Sequence, residues 1–167
     1  MEHSDKGAKF VLGPDDGDSY WQPEPAGGYA TVKLSPFNLP TNQFAAGIQV
    51  IDPGGELRQH GHMRNEEMLF VYEGHGTAIV DGERFPVESG SIVYAGRWVK
   101  HGLVNEGDIQ LKIFWVILPP GLETVISALG PKRTSGEARP AKIERPANLM
   151  EVLANAWFAR PDQLPPD

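Results

Sequence analysis

From Tyr29 onward the chain is a succession of short apolar runs, each ended by turn-forming residues, and this rhythm limits the fold more than any other feature. YATVKLSP, FAAGIQVIDPGG, EMLFVYEGHG, TAIVDGERFPV, SIVYAG, HGLVNEGD and IQLKIFWVILPPG are rich in β-branched and aromatic residues. The longest uninterrupted apolar stretch, Ile113 to Leu118, has the length of a strand. With 19 glycines and 15 prolines among 167 residues, turns recur too often for a helical protein. The pattern predicts an all-β sandwich or barrel of antiparallel strands. Asp81-Gly82, between TAIV and ERFPV, reads as a two-residue hairpin turn because both residues tolerate positive φ. Asn105-Glu106-Gly107-Asp108 is expected to join HGLV to IQLKIFW in a similar way.

Alternation along the last run assigns faces. Lys112 points to solvent, which places Leu111, Ile113, Trp115 and Ile117 in the interior and Phe114 and Val116 on an outer face that needs a cover. The C-terminal third offers one. PPGLETVISALGP predicts a short helix with Leu122, Val125, Ile126 and Leu129 on one side, ended by Gly130-Pro131. After a Pro/Arg/Gly-rich linker, Leu149, Val152, Leu153, Ala156 and Trp157 recur at amphipathic helical spacing, with Trp157 as the anchor. The first 28 residues read as an irregular arm with one strand around Phe10 to Leu12, and with Tyr20 and Trp21 packed onto the body. The expected organisation is an arm (1–28), a single barrel (29–119) and a helical tail (120–167), with no internal repeat to suggest a second barrel.

Charge and composition exclude several functions. A formal net charge of −7 with no Lys/Arg run would repel a phosphate backbone, so nucleic acid is not an expected partner. No apolar stretch reaches membrane-spanning length, and MEHSDKGAKF lacks the apolar core of a signal peptide, so a soluble cytoplasmic protein is expected. There is no cysteine, so any transition-metal site must be made from His, Asp and Glu. Of the five histidines, His3 lies in a polar tail and His75 in the turn EGHGT.

The other three form a pattern. His60 and His62 stand two apart on a strand or its end, which turns both imidazoles to one face, close enough to share an ion. After the spacer MRNE, Glu67 begins a second set of inward positions continued by Leu69 and Val71, and Gly74 closes that strand. His101 opens HGLVN thirty-four residues later. Three neutral nitrogens and one carboxylate oxygen suit Fe(II), Mn(II), Ni(II), Co(II) or Zn(II).

In this arrangement the chain resembles the cupin superfamily. Gly54-x5-His60-x-His62-x4-Glu67-x6-Gly74 fits the first cupin motif in every fixed position. The run Gly90-Ser91-Ile92-Val93-Tyr94-Ala95-Gly96 and then His101-x3-Asn105 fit the second, except that the usual Pro-x-Gly reads Gly96-Arg97-Trp98. The resemblance, over roughly Tyr29 to Pro119, implies a double-stranded β-helix (jelly roll) with one divalent metal ion per chain inside the barrel. It places the acidic ligand at Glu67 rather than Glu66, whose spacing to Gly74 is one residue too long.

A weaker similarity links the segment from about Asp108 to Pro140 with small quercetin-dioxygenase-like cupins. It implies a metal-dependent oxygenase acting on a small oxygenated or aromatic molecule, with a non-redox isomerase or lyase, or a ligand-binding module without turnover, as alternatives. Glu67 is then a catalytic candidate as well as a ligand. Tyr94, Arg97 and Trp98, which flank His101, and Trp115, on a strand that lines the cavity in related barrels, are candidates for holding substrate. Apolar surface at Phe114 and Val116, the Pro-rich arm before Tyr29 and the Trp157 helix points to a homodimer.

Overall fold

Two-residue alternation carries through into the computed structural model, which describes residues 7–165; His3 lies outside them. The strands are β1 (Asp18–Trp21), β2 (Tyr29–Leu34), β3 (Ala45–Ile51), β4 (Glu56–His62), β5 (Glu66–Glu73), β6 (His75–Val80), β7 (Glu83–Glu88), β8 (Ile92–Ala95), β9 (His101–Val104), β10 (Leu111–Leu118) and β11 (Phe158–Ala159). Two helices, α1 (Leu122–Leu129) and α2 (Leu149–Asn155), stand between β10 and β11. One sheet has the order β1-β2-β3-β10-β5-β8 and the other β11-β4-β9-β6-β7. From β3 to β10 the chain changes sheet at every connection except the β6–β7 hairpin. The result is a jelly roll. No helix among the described residues is long and apolar enough to cross a membrane.

The β6–β7 turn is the one its sequence predicts: Asp81 (φ 44°) and Gly82 (φ 79°) both take the left-handed conformation that a tight hairpin needs. The Asn105–Asp108 segment departs from expectation. It carries the chain from one sheet to the other, since β9 and β10 do not pair. Asn105 fixes this crossing: its buried Nδ2 donates to the carbonyls of Ile51 and Ile109, at 2.9 Å each. Its backbone also bonds Gly54 and Gly55 at the β3–β4 turn. A four-residue turn has the same composition whether it joins paired strands or opposed sheets, and only these partners tell them apart.

The core lies between the sheets. Leu111, Ile113, Trp115 and Ile117 of β10 are fully buried, as read from their alternation, and they meet Leu69 and Val71 of β5. Trp115 has room because Gly47 stands opposite it on β3. A Cβ there would come within 2.6 Å of the indole and 2.0 Å of the Thr31 carbonyl.

The covers of the barrel are exchanged relative to the sequence reading. Phe10 to Leu12 form no strand; β1 lies further on and pairs with β2 at the sheet edge, inside the segment read as an arm. The segment before β1 lies across the outer face instead, where Phe10 and Leu12 share an apolar groove with Leu34, Ile48 and Phe114. Lys33 ties it down by donating to the carbonyls of Gly13, Pro14 and Asp16. The C-terminal helices cover the barrel mouth rather than the outer face: Val125 and Ile126 of α1 are buried, and Ile126 joins the interior cluster. Helix α2 stops two residues early, because Trp157 takes φ 56° and turns the chain into β11. Arg64 sits over the Trp157 ring, 4.8 Å from its centroid, so that tryptophan anchors the turn and not the helix.

Because the atoms nearest a new Cβ at Gly47 belong to a neighbouring strand's backbone and a packed indole, Gly47→Ala should cost about 1–3 kcal/mol of stability, the range for overpacking. A chemical denaturation midpoint unchanged from the parent protein would contradict this account of the core.

Candidate metal centre

Three strands from both sheets deliver the predicted residues to one point. His60 and His62 are alternate residues at the end of β4, so both rings face inward. His101 is the first residue of β9 and pairs directly with His60. Glu67, second in β5, faces them from the other sheet, between Ile117 and Ala95. The potential donor atoms of these four residues lie within 4.8 Å of one another. His62, Glu67 and His101 are buried, whereas His60 is partly open to a cavity.

Hydrogen bonds fix how the rings are presented. The Nδ1 of His60 lies 2.8 Å from the Arg58 carbonyl, and that of His101 lies 3.0 Å from the Val99 carbonyl. A carbonyl can only accept, so each Nδ1 carries the proton and each Nε2 is left with its lone pair directed inward. Glu67 Oε2 lies 2.9 Å from His101 Nε2 and 3.1 Å from His62 Nε2. With its Nδ1 proton committed, neutral His101 would set a lone pair against a carboxylate oxygen. A positive charge belongs between them, either a proton or a metal ion.

The titration behaviour follows from the same contacts. Burial, reinforced by His101 and His62, pushes His60 down to about 3, so it is a neutral donor near pH 7. Burial opposes ionisation of Glu67, but the hydrogen bonds from His101 and His62 outweigh it and hold the carboxyl below the usual range. Burial likewise disfavours a charged His101, and its contact with Glu67 reverses that and raises its pKa. The cluster can hold one shared cation, and its donor set fits a divalent transition metal ion.

Above the cluster is a cavity of about 330 Å³ whose wall includes His60 and Glu67. Leu122, Val125, Leu149, Leu153 and Phe158 supply apolar lining from the C-terminal segments. Phe158, which the sequence reading did not single out, stacks on His60 with centroids 5.2 Å apart and rings 8° from parallel. It also meets His62 edge-on at 4.5 Å. It gets there because β11 pairs with His62 and Gly61. Also in the lining, Gln22 donates to the carbonyls of Gly27 and Val50 and receives a hydrogen bond from Gln49, which fixes both amides at the cavity. A two-residue strand and a pair of glutamines carry no sequence signal that would have found them.

The residues flanking His101 lie elsewhere. Alternation in β8 turns Val93 and Ala95 inward and leaves Tyr94 61% exposed, its hydroxyl donating to Glu66. Glu66 is therefore outside the cluster, as its spacing implies. Arg97 and Trp98 are exposed, and none of Tyr94, Arg97 and Trp98 lines the cavity. What their loop contributes is backbone: Trp98, at φ 68°, donates its N–H to the His62 carbonyl. Trp115 is fully buried in the core and does not line the cavity either. His75 is exposed at the start of β6.

Comparison with known proteins agrees with this architecture. Residues 47–117 match the family model described as "Cupin domain". An uncharacterised protein of Methanocaldococcus jannaschii is 31% identical over 71 residues, which cover 42% of this chain and 57% of the relative. A 1-hydroxy-2-naphthoate 1,2-dioxygenase of Nocardioides sp. is 27% identical over 124 residues, 72% of this chain and 30% of the relative. The chain thus spans less than two-thirds of either relative's length. Among solved structures, KdgF from Halomonas sp. superposes with a TM-score of 0.56 over 69% of this chain and 96% of its own, at 20% identity, a likeness of fold alone.

Untagged protein should carry about one divalent transition metal ion per chain. His62→Ala should weaken retention by roughly two orders of magnitude, as one of four donors is lost. Acidification should release the ion, since protons compete for the same imidazole nitrogens. Elemental analysis checks all three, and a full complement of metal in the His60→Ala, His62→Ala double variant would contradict the assignment.

Proposed function

Taking the chain as a member of the cupin superfamily, we propose that it is a metal-dependent oxygenase acting on a small oxygenated, aromatic molecule. The observation that carries this reading is the opening of the His60–His62–Glu67–His101 cluster into a mostly apolar cavity. The ion, when bound, supplies Lewis-acid and one-electron chemistry. The chain's own residues do the rest. Leu122, Val125, Leu149 and Leu153 exclude water and take an apolar ring, and Phe158 holds the His60 ring by stacking. Glu67 spends Oε2 on His62 and His101, so Oε1 is the atom that can accept a proton from a substrate hydroxyl. The partial similarity to a dioxygenase of a hydroxylated aromatic acid supports the same reading.

That position of Glu67 also favours a second reading, a non-redox isomerase or lyase in which the carboxylate moves a proton and no oxygen is consumed. Oxygen uptake against a panel of enediols, catechols and flavonols, repeated without oxygen, separates the two. Conversion that requires oxygen supports the oxygenase; conversion without it supports the isomerase or lyase; binding with no conversion contradicts both. The proposed working form is a homodimer, for which Phe85, Ile92 and Tyr94 are exposed and Phe114 and Val116 only half-buried. A clean monomer by light scattering at roughly tens of micromolar would contradict that.

Glu67→Gln should keep the fold and some metal while turnover falls by roughly two to four orders of magnitude, the range for a positioned acid–base group. Glu66→Gln should be nearly silent, because that side chain is outside, bonded to Tyr94. The reverse pattern would show that another group moves the proton.

A further inference from the structure

The chain is acidic, yet the metal cavity has arginines in its lining: Arg58, Arg145 and Arg160. Arg160 is paired with Asp162 at 2.9 Å. The other two are poorly neutralised. Among the described residues Arg58 reaches only Glu56, at 4.0 Å and with both side chains substantially exposed, a pairing worth little. Arg145 has no carboxylate within ion-pair distance among the described residues; its Nη2 donates to the backbone carbonyl of Glu24, at 2.9 Å. The two guanidiniums also lie within electrostatic reach of each other: partial burial, and then the charge of Arg58, lowers the pKa of Arg145. Of the carboxylates in the lining, Glu67 is taken up by His62 and His101 and Glu56 is 4.0 Å from Arg58, so an anion entering the cavity would find two guanidiniums to pair with. The planar guanidinium fork suits an oxyanion, and the aliphatic wall beside it suits a flat ring rather than a heavily hydrated group. A cavity of about 330 Å³ is at the small end for ligand sites and admits one or two rings.

We propose that the cavity takes a small ring compound bearing a carboxylate, and that Arg58 and Arg145 are its anion subsite. This rests on the reading of the cavity as the substrate site. The subsite selects the substrate and sets its orientation, with the carboxylate at the arginines and the oxygenated part of the ring free to face His60 and Glu67. Arg58 has two separate jobs: its carbonyl orients His60, and its side chain serves the anion. Replacing the side chain leaves the carbonyl in place.

Titration calorimetry at low ionic strength tests this on the metal-loaded protein, and in parallel on the metal-free protein, with 2-hydroxybenzoate, 2-hydroxybenzamide and phenyl phosphate as probes. The benzoate should bind about tenfold more tightly than the uncharged amide, as expected for charge-assisted pairing with arginine. In the Arg58→Gln, Arg145→Gln double variant that preference should shrink to within about threefold, with the amide's own affinity little changed. An undiminished preference for the benzoate would overturn the subsite while leaving the oxygenase reading intact. Tighter binding of phenyl phosphate than of the benzoate would overturn the carboxylate assignment. If no probe binds while an uncharged compound is turned over, the subsite falls alone; if nothing binds and nothing is turned over, the reading of the cavity falls with it.

Discussion

One carboxylate oxygen links the two sheets at the candidate metal centre. Glu67 Oε2 sits within 3.1 Å of two imidazole nitrogens from the opposite sheet, almost wholly removed from water. A buried carboxylate is costly unless its charge is answered, and the His60, His62 and His101 donors beside it form a group that can hold a cation. The contact works only if both sheets keep their registry. β5 must present Glu67 and not Glu66, and β4 and β9 must bring His60 opposite His101. The alternation of the chain between sheets from β3 to β10 is what meets that condition, because it places ligands distant in sequence on facing walls of one barrel.

What was legible in the sequence divides along a physical line. Period-two alternation reports which face a strand residue takes, and it served for Leu111, Ile113, Trp115 and Ile117 and for the His60–His62 pair, while the motif spacing to Gly74 separated Glu67 from Glu66. The positive-φ demand of a tight hairpin made Asp81-Gly82 readable. Closeness along the chain was a poor guide to closeness at the cavity. Tyr94, Arg97 and Trp98 neighbour His101 in sequence, yet alternation in β8 and the course of the loop leave them on the outside.

The parts that were not legible depend on long-range partners. Phe158 reaches His60 through a two-residue strand, and nothing local in ANAWFAR distinguishes that from a continuing helix. Asn105 fits the cupin motif, but its role comes from bonds to Ile51 and Ile109 that fix a crossing between sheets. The exchange of covers has the same origin. The helices are amphipathic in either place, and what decides their position is the open barrel mouth, while Lys33 holds the N-terminal segment across the outer face. The C-terminal segments therefore do more than shield the fold: they supply most of the apolar wall of the cavity and the ring that packs on two ligand histidines.

The central claim is that His60, His62, Glu67 and His101 jointly hold one ion. X-ray absorption spectroscopy at the edge of the bound metal reads that shell directly. The account predicts multiple scattering from about three imidazoles, with nitrogen and oxygen neighbours at roughly 2.0–2.2 Å. A shell of oxygen neighbours without imidazole scattering, or with that of a single imidazole, would contradict it.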